Sequence, residues 1–280
     1  MRYILFLLLC FPMPAQAGLV LISTRDAPST SVATEKVKYW KYDGRYWDRV
    51  SRWETLTDLP VTIFVHGNRT DSSQAIQNGY QIYQRLKKLF KEDFQFVIWS
   101  WSSDTIPGLR KDAQLKAEYC DTQAYYLATY LQLTGHKTTL VGHSFGARII
   151  TGAMQLTAGG EIAGRQLPVC DKRARNLVLL AAAIDEHAFA PGQMYDLVQG
   201  CANIVVTCNR YDPVLQLYPK MFQPPGPAAM GLRGPLGQGC ILLDLKNVIG
   251  RSHALASYLQ VPGLLELFHG SWTREPIILF

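Results

Sequence analysis

The sequence predicts an α/β fold, a mostly parallel sheet with helices on both faces. Three observations carry that expectation. Buried-type apolar runs alternate with segments of helical periodicity along most of the chain, the pattern of successive βαβ units. One such run, TTLVGHSFGARII at residues 138–150, ends a strand at a Gly-x-Ser-x-Gly turn and continues as a helix. And 280 residues, 48% of them hydrophobic and 18% charged, suit one large globular domain.

The elements follow in order. KYDGRYW places an Asp43-Gly44 turn between strand-like flanks, so an early hairpin or sheet edge is expected. PVTIFVHGN is a β-branched strand that breaks at Gly67. Over residues 74–90, Ile76, Tyr80, Tyr83, Leu86 and Phe90 recur at helical spacing. FQFVIWSW is a second buried strand. A long helix is expected from residue 111, with Leu115, Tyr119, Tyr126, Tyr130 and Leu133 on its packed face. KTTLVG and the helix 145–156 surround the Gly-x-Ser-x-Gly turn. NLVLLAAAI, NIVVTC and CILLDLKNV are the remaining strands, and a helix is expected over 253–268. Residues 213–239 break the alternation. This stretch is rich in Gly and Pro without periodicity, and is expected as a flap beside the site or as a plain surface insertion.

The first residues, MRYILFLLLCFPMPAQAG, combine Arg2, a short apolar run and an Ala-x-Ala site. This is the pattern of a secretory signal peptide at 1–17, leaving a mature domain at 18–280. The run is too short to span a bilayer as a helix. The protein is therefore expected to be exported, periplasmic or secreted. Of six cysteines, Cys10 leaves with the signal. The other five, Cys120, Cys170, Cys201, Cys208 and Cys240, allow at most two internal disulfides. They contain no C-x-x-C pair, so no metal site is expected. A net charge of +6 spread over scattered basic residues reads as an ordinary solvated surface. Peripheral association with an anionic envelope is the remaining partner expected of it, and no nucleic-acid partner is expected.

The chemistry centres on Ser144. A sharp turn between a buried strand and a helix lifts the Ser hydroxyl above the sheet edge, and the helix N-terminus favours developing negative charge there. FVHGN ends an earlier strand. An acyl-transfer site needs two backbone donors for its oxyanion. The N–H of Phe145, directly after Ser144, supplies one, and the loop at Gly67-Asn68 supplies the other, with Asn68 as the expected residue. Trp99 and Trp101 end their strand and either line an acyl pocket or pack in the core. Trp101 and Tyr211 are the expected substrate-binding residues.

At FVHGN and LVGHSFGAR the chain resembles the α/β-hydrolase superfamily, in its esterase- and lipase-like branch. The resemblance runs over about 61–268. It implies an eight-stranded, mostly parallel sheet and a triad in the order Ser, acid, His. His253 follows the last strand, where the family carries its base. Asp212 follows the strand before it, the usual position of the acid; Asp185, one strand earlier, is the variant position. The implied function is an exported serine hydrolase that cleaves acyl esters of small molecules or lipids through an acyl-enzyme, without metal or cofactor. An acyltransferase or lipase on the same triad, or an inactive binding protein with this fold, are the alternatives.

Overall fold

The computed structural model describes residues 17–134, 137–170, 174, 176–222, 226–237 and 239–269. All but one residue of the expected signal segment 1–17 lies outside that set. β1 (Ala17–Ser23) is followed by a hairpin, β2 (Lys38–Tyr42) and β3 (Trp47–Val50), joined through Asp43-Gly44 as the sequence suggested. The Asp43 carboxylate accepts from the N–H groups of Arg45 and Tyr46, which fixes the turn. Then come β4 (Val61–Val65), α1 (Ser72–Leu89), β5 (Phe94–Ser100), α2 (Leu109–Leu131), β6 (Thr138–His143) and α3 (Phe145–Thr157). A two-stranded ribbon, β7 (Glu161–Ile162) and β8 (Arg165–Gln166), precedes β9 (Asn176–Leu180), β10 (Asn203–Cys208) and β11 (Cys240–Asp244).

Among the described residues, nine strands form one sheet in the order β11-β10-β9-β6-β4-β5-β1-β2-β3. Every pairing from β11 to β1 is parallel, and the β2–β3 hairpin extends the far edge in antiparallel fashion. The sheet has nine strands rather than eight because β1 joins the hairpin and the six strands β4, β5, β6, β9, β10 and β11. β4, β5, β6 and β9 are buried along their whole length, as strands covered on both faces must be.

Side-chain alternation along β5 shows where the helices lie. Phe96 and Ile98 meet α1 at Tyr83 and Gly79. Trp99 points the other way, onto Tyr130 of α2. Neighbouring strand residues project to opposite faces, so α1 and the α2–α3 pair cover opposite sides of the sheet. α1 starts with a capping box in which Asp71 accepts from Gln74 N–H and Gln74 answers to Asp71 N–H.

Three elements differ from expectation. The packed face of α2 is built from Ala113, Ala117, Cys120, Ala124 and Leu127 as well as Tyr126 and Tyr130, whereas Leu115 and Tyr119 are only half-buried. Small residues let α3 approach closely: a Cβ added at Gly152 would lie 2.8 Å from the Ala124 Cβ. The expected helix 253–268 is broken. Its parts are a short helix, Leu255–Tyr258, and a 3-10 stretch, Leu264–His269. Pro262 disfavours helical geometry at Val261, and Gly263 has φ +75. The segment 213–239, in its described part, packs against the residues after β9. Met230 N–H donates to Ile184 C=O, Gly231 N–H to Ala182 C=O, and Leu236 N–H to Glu186 C=O. Ala229 and Met230 are fully buried. Cys120, Cys170 and Cys208 carry free thiols. No helix among the described residues is long and apolar enough to cross a membrane.

The close α2–α3 approach yields a stability prediction. Ala124→Leu adds volume where α3 has only Gly152 to offer. It should destabilise the fold by about 1–3 kcal/mol, the usual cost of overpacking. Urea denaturation checks this as a lowered midpoint with an unchanged slope.

Candidate active site

The turn after β6 is dictated by two glycines. A Cβ at Gly146 would sit 2.1 Å from the Val65 carbonyl oxygen, and one at Gly142 would sit 2.6 Å from the backbone of Gly146 and Ala147. Backbone atoms cannot give way to such contacts. Only glycine lets α3 start so close to β4 and β6. Ser144 occupies the corner with φ +55 and ψ −117, a conformation that side-chain-bearing residues seldom adopt. Its N–H donates to Leu180 C=O, and its own C=O accepts from Ala147 and Ala183. The corner is thus tied to β9 as well as to α3.

The structure brings Ser144, His253 and Asp212 together. The Ser144 hydroxyl lies 3.1 Å from His253 Nε2, and His253 Nδ1 lies 2.6 Å from Asp212 Oδ2. Asp212 is fully buried. Its second oxygen, Oδ1, accepts from the N–H groups of Val214 and Leu215, at 2.9 and 3.1 Å. One carboxylate oxygen is clamped by the backbone, which leaves the other aimed at the imidazole. Nδ1–H donates to the carboxylate, so Nε2 is free to accept the Ser proton. A hydroxyl so placed can lose its proton as it attacks an electrophile, and the carboxylate then faces the imidazolium that forms.

Asp185 is elsewhere. It is exposed, and its Oδ1 accepts from the Tyr218 hydroxyl. His187 is exposed beside Glu186, and His269 is buried with its ring stacked on Phe90.

Three residues hold this arrangement in roles that were not read from sequence: Asn209, and His143 and His66 of the two motifs. Asn209 is fully buried after β10. Its side-chain amide donates to the carbonyls of Gly250 and Ser252, and its Oδ1 accepts from Tyr211 N–H. It therefore staples the acid-bearing loop to the His253 loop. His143 Nε2–H donates to the His253 carbonyl at 2.9 Å, fixing that backbone from the nucleophile's side. Burial, then the neighbouring His253, pushes His143 down to about 3, so its ring is neutral.

His66 does the same for the other loop. Its Nε2 accepts from Trp101 N–H, so the proton sits on Nδ1 and is donated to Gly67 C=O at 2.9 Å. Burial lowers its pKa to about 3, against the opposing effect of that hydrogen bond. The carbonyl and the following N–H of a trans peptide point in opposite directions. Fixing Gly67 C=O therefore fixes the direction of Asn68 N–H. Gly67 lies directly against the corner: a Cβ there would be 3.1 Å from Ser144 Cβ. The N–H groups of Asn68 and Phe145 have no acceptor among the described residues. The Asn68 side chain turns aside to Asp112, which also holds Arg69.

Two expected substrate-binding residues are placed differently. Trp101 is fully buried, and its indole N–H donates to His66 C=O. This corrects its assignment: the ring supports the His66 loop and offers no surface to a substrate, because the strand end turns it into the core. Tyr211 is 47% exposed on the loop before Asp212.

Two predictions follow from the buried imidazoles and the corner. An unfolded His binds a proton below about 6.5. Folded His66 and His143 do so only near 3. Acid therefore favours the unfolded chain, and the stability present above about pH 6.5 is lost as pH falls toward 3. His143→Gln keeps an N–H donor and removes one of these titrations. Its loss of stability between about pH 7 and pH 4 should be shallower than that of the wild type, read from denaturant midpoints. Gly146→Ala, in contrast, should cost more than about 3 kcal/mol or prevent folding, since backbone on both sides must move.

A family model described as "Alpha/beta hydrolase of unknown function" (DUF900) matches residues 51–223, more than half of the chain. The match includes Ser144 and Asp212 and stops short of His253. A search of curated proteins found no match. Solved structures similar to this chain include the product of gene lin2722 from Listeria innocua, with 12% identity and a TM-score of 0.41, covering 79% of this chain and 97% of that one. Another is a dienelactone hydrolase-like promiscuous phosphotriesterase from metagenomic libraries, with 11% identity and a TM-score of 0.35, covering 83% of this chain and 91% of that one. By the extent of its match to the family model, this chain belongs to the DUF900 family of alpha/beta hydrolases.

Proposed function

We propose that the protein is an exported serine hydrolase that cleaves acyl esters. The observation that carries this reading is the unbroken hydrogen-bonded chain from Ser144 Oγ through His253 to Asp212 Oδ2, at 3.1 and 2.6 Å. His253 Nε2 takes the hydroxyl proton as Ser144 Oγ attacks the acyl carbonyl. Asp212 holds the imidazole in the Nδ1–H tautomer and stabilises the imidazolium. The N–H groups of Asn68 and Phe145 receive the oxyanion; their lack of other acceptors supports this role. His253 then gives its proton to the leaving alcohol. Water, deprotonated by the same nitrogen, attacks the acyl-enzyme and frees Ser144.

Export rests on the N-terminal sequence. Arg2, the apolar run and the Ala-x-Ala site give a mature chain starting at Gly18. Mass spectrometry of the protein from its host is the test, and a cytosolic protein that retains residues 1–17 would overturn it.

Ser144→Ala should abolish hydrolysis of activated esters and labelling by a fluorophosphonate, with the melting temperature little changed. The loss in turnover should be of the order of a millionfold. A folded wild-type protein that neither labels nor turns over would instead point to a binding protein on this fold. Asp212→Asn should lower turnover by up to about ten-thousandfold, because the imidazole loses its orienting acceptor. Asp185→Asn should have a far smaller effect. Steady-state kinetics of the two variants on one ester decides between them.

A further inference from the structure

Arg148 lies four residues after Ser144, one turn into α3. It lines a cleft of about 330 Å³ whose other walls include Ile184, Asp185, Tyr195, Tyr218 and Phe222. The cleft lies beside the Ser144 corner. Ala183, which precedes Ile184, donates its N–H to the Ser144 carbonyl at 3.3 Å.

The guanidinium is poorly matched by protein. Its side chain is only 15% exposed, yet its ion pair with Asp121 is made by Nη2 alone, at 3.5 Å. Nη2 also reaches Met194 Sδ at 3.9 Å. Nε is buried without a hydrogen-bond partner, and Nη1 donates to no described residue. Arg25 makes the contrast. It is equally part of the fold, and its Nε, Nη1 and Nη2 each have an acceptor, at 2.7, 3.0 and 2.8 Å. A cation withdrawn from water with donors left over favours an incoming anion, and the guanidinium fork fits a carboxylate. Asp185 is the other charged group on the cleft. It is exposed, and so screened by solvent, and Tyr218 OH already donates to it.

We propose that Arg148 is a specificity-determining residue, so that the site prefers esters bearing a carboxylate on the portion seated in this cleft. The inference rests on the serine-hydrolase reading. The apolar walls take the carbon chain, and the Arg148 fork takes the carboxylate at its end.

The test uses two isosteric ester pairs. One is para-nitrophenyl hemiglutarate against the uncharged isoheptanoate, which places the charge on the acyl side. The other is meta-acetoxybenzoate against meta-acetoxyacetophenone, which places it on the leaving group. In one pair the wild type should favour the anion in kcat/KM, chiefly through KM. Arg148→Gln should shrink that anion-to-neutral ratio by about tenfold to a hundredfold. Arg148→Lys should retain part of it, and added salt should erode it in the wild type. An equal ratio in wild type and Arg148→Gln for both pairs overturns the proposal. Turnover without charge preference counts against Arg148 alone, and absence of all turnover counts against the hydrolase reading. In that case calorimetry with N-phenylglutaramate and meta-acetamidobenzoate, which needs no turnover, still decides. Equal affinity of the wild type and the folded Arg148→Lys variant for both anions overturns the role of Arg148; weaker binding by the variant supports it.

Discussion

The close approach of α3 to β4 is the constraint on which the rest of the molecule depends. With a Cβ at Gly146 falling 2.1 Å from a carbonyl oxygen, no side chain can enter there. The helix therefore begins directly at the sheet edge, and Ser144 is forced into its left-handed conformation. The cost of that conformation is about 1–3 kcal/mol. It is sustained because β9, α3 and the Gly67 loop hold the corner from three sides. The same approach needs a slim partner behind α3, and the alanines and Cys120 of α2 provide it. Packing on one face of the sheet and geometry at its edge are thus one requirement.

The loops that face Ser144 are each fixed by a buried polar group that does not take part in the proposed chemistry. Asn209 joins the Asp212 loop to the His253 loop, His143 reaches across to the His253 carbonyl, and His66 holds Gly67 with Trp101 behind it. Loops supply the reactive groups, as is common in folds of this class, but none of these loops is left to its own preferences. Every one of the three bonded groups is buried, where a hydrogen bond is hard to exchange for water.

Much of this was legible in the sequence, and the reasons are local. Strand–helix alternation is written in runs of β-branched residues and in apolar spacing, so β4, α1, β5, β6, α3, β9, β10 and β11 could be located closely. The Ser144 corner was legible because its glycines flank it directly. Asp212 and His253 could be named because the resemblance at FVHGN and LVGHSFGAR implies an acid and a base after the last two strands. What was not legible depends on tertiary neighbours. The role of Trp101 is set by His66, thirty-five residues away. Asn209 looks like an ordinary turn residue until Gly250 and Ser252 arrive beside it. The break at Pro262-Gly263 was within reach, since both residues disfavour a continuous helix, but the apolar spacing around it masked the signal. The face of α2 was misread because large aromatics dominate a periodicity count, while the helix in fact packs through its smallest residues.

The neutral state of His66 and His143 has a consequence for kinetics. Both rings sit within the constellation around Ser144, and both stay unprotonated until about 3. Neither changes charge anywhere in the range where an enzyme is ordinarily assayed. The electric field they impose on the reacting atoms is therefore constant across that range. A plot of rate against pH from this protein is a readout uncluttered by these two imidazoles, and any inflection in it belongs to another group.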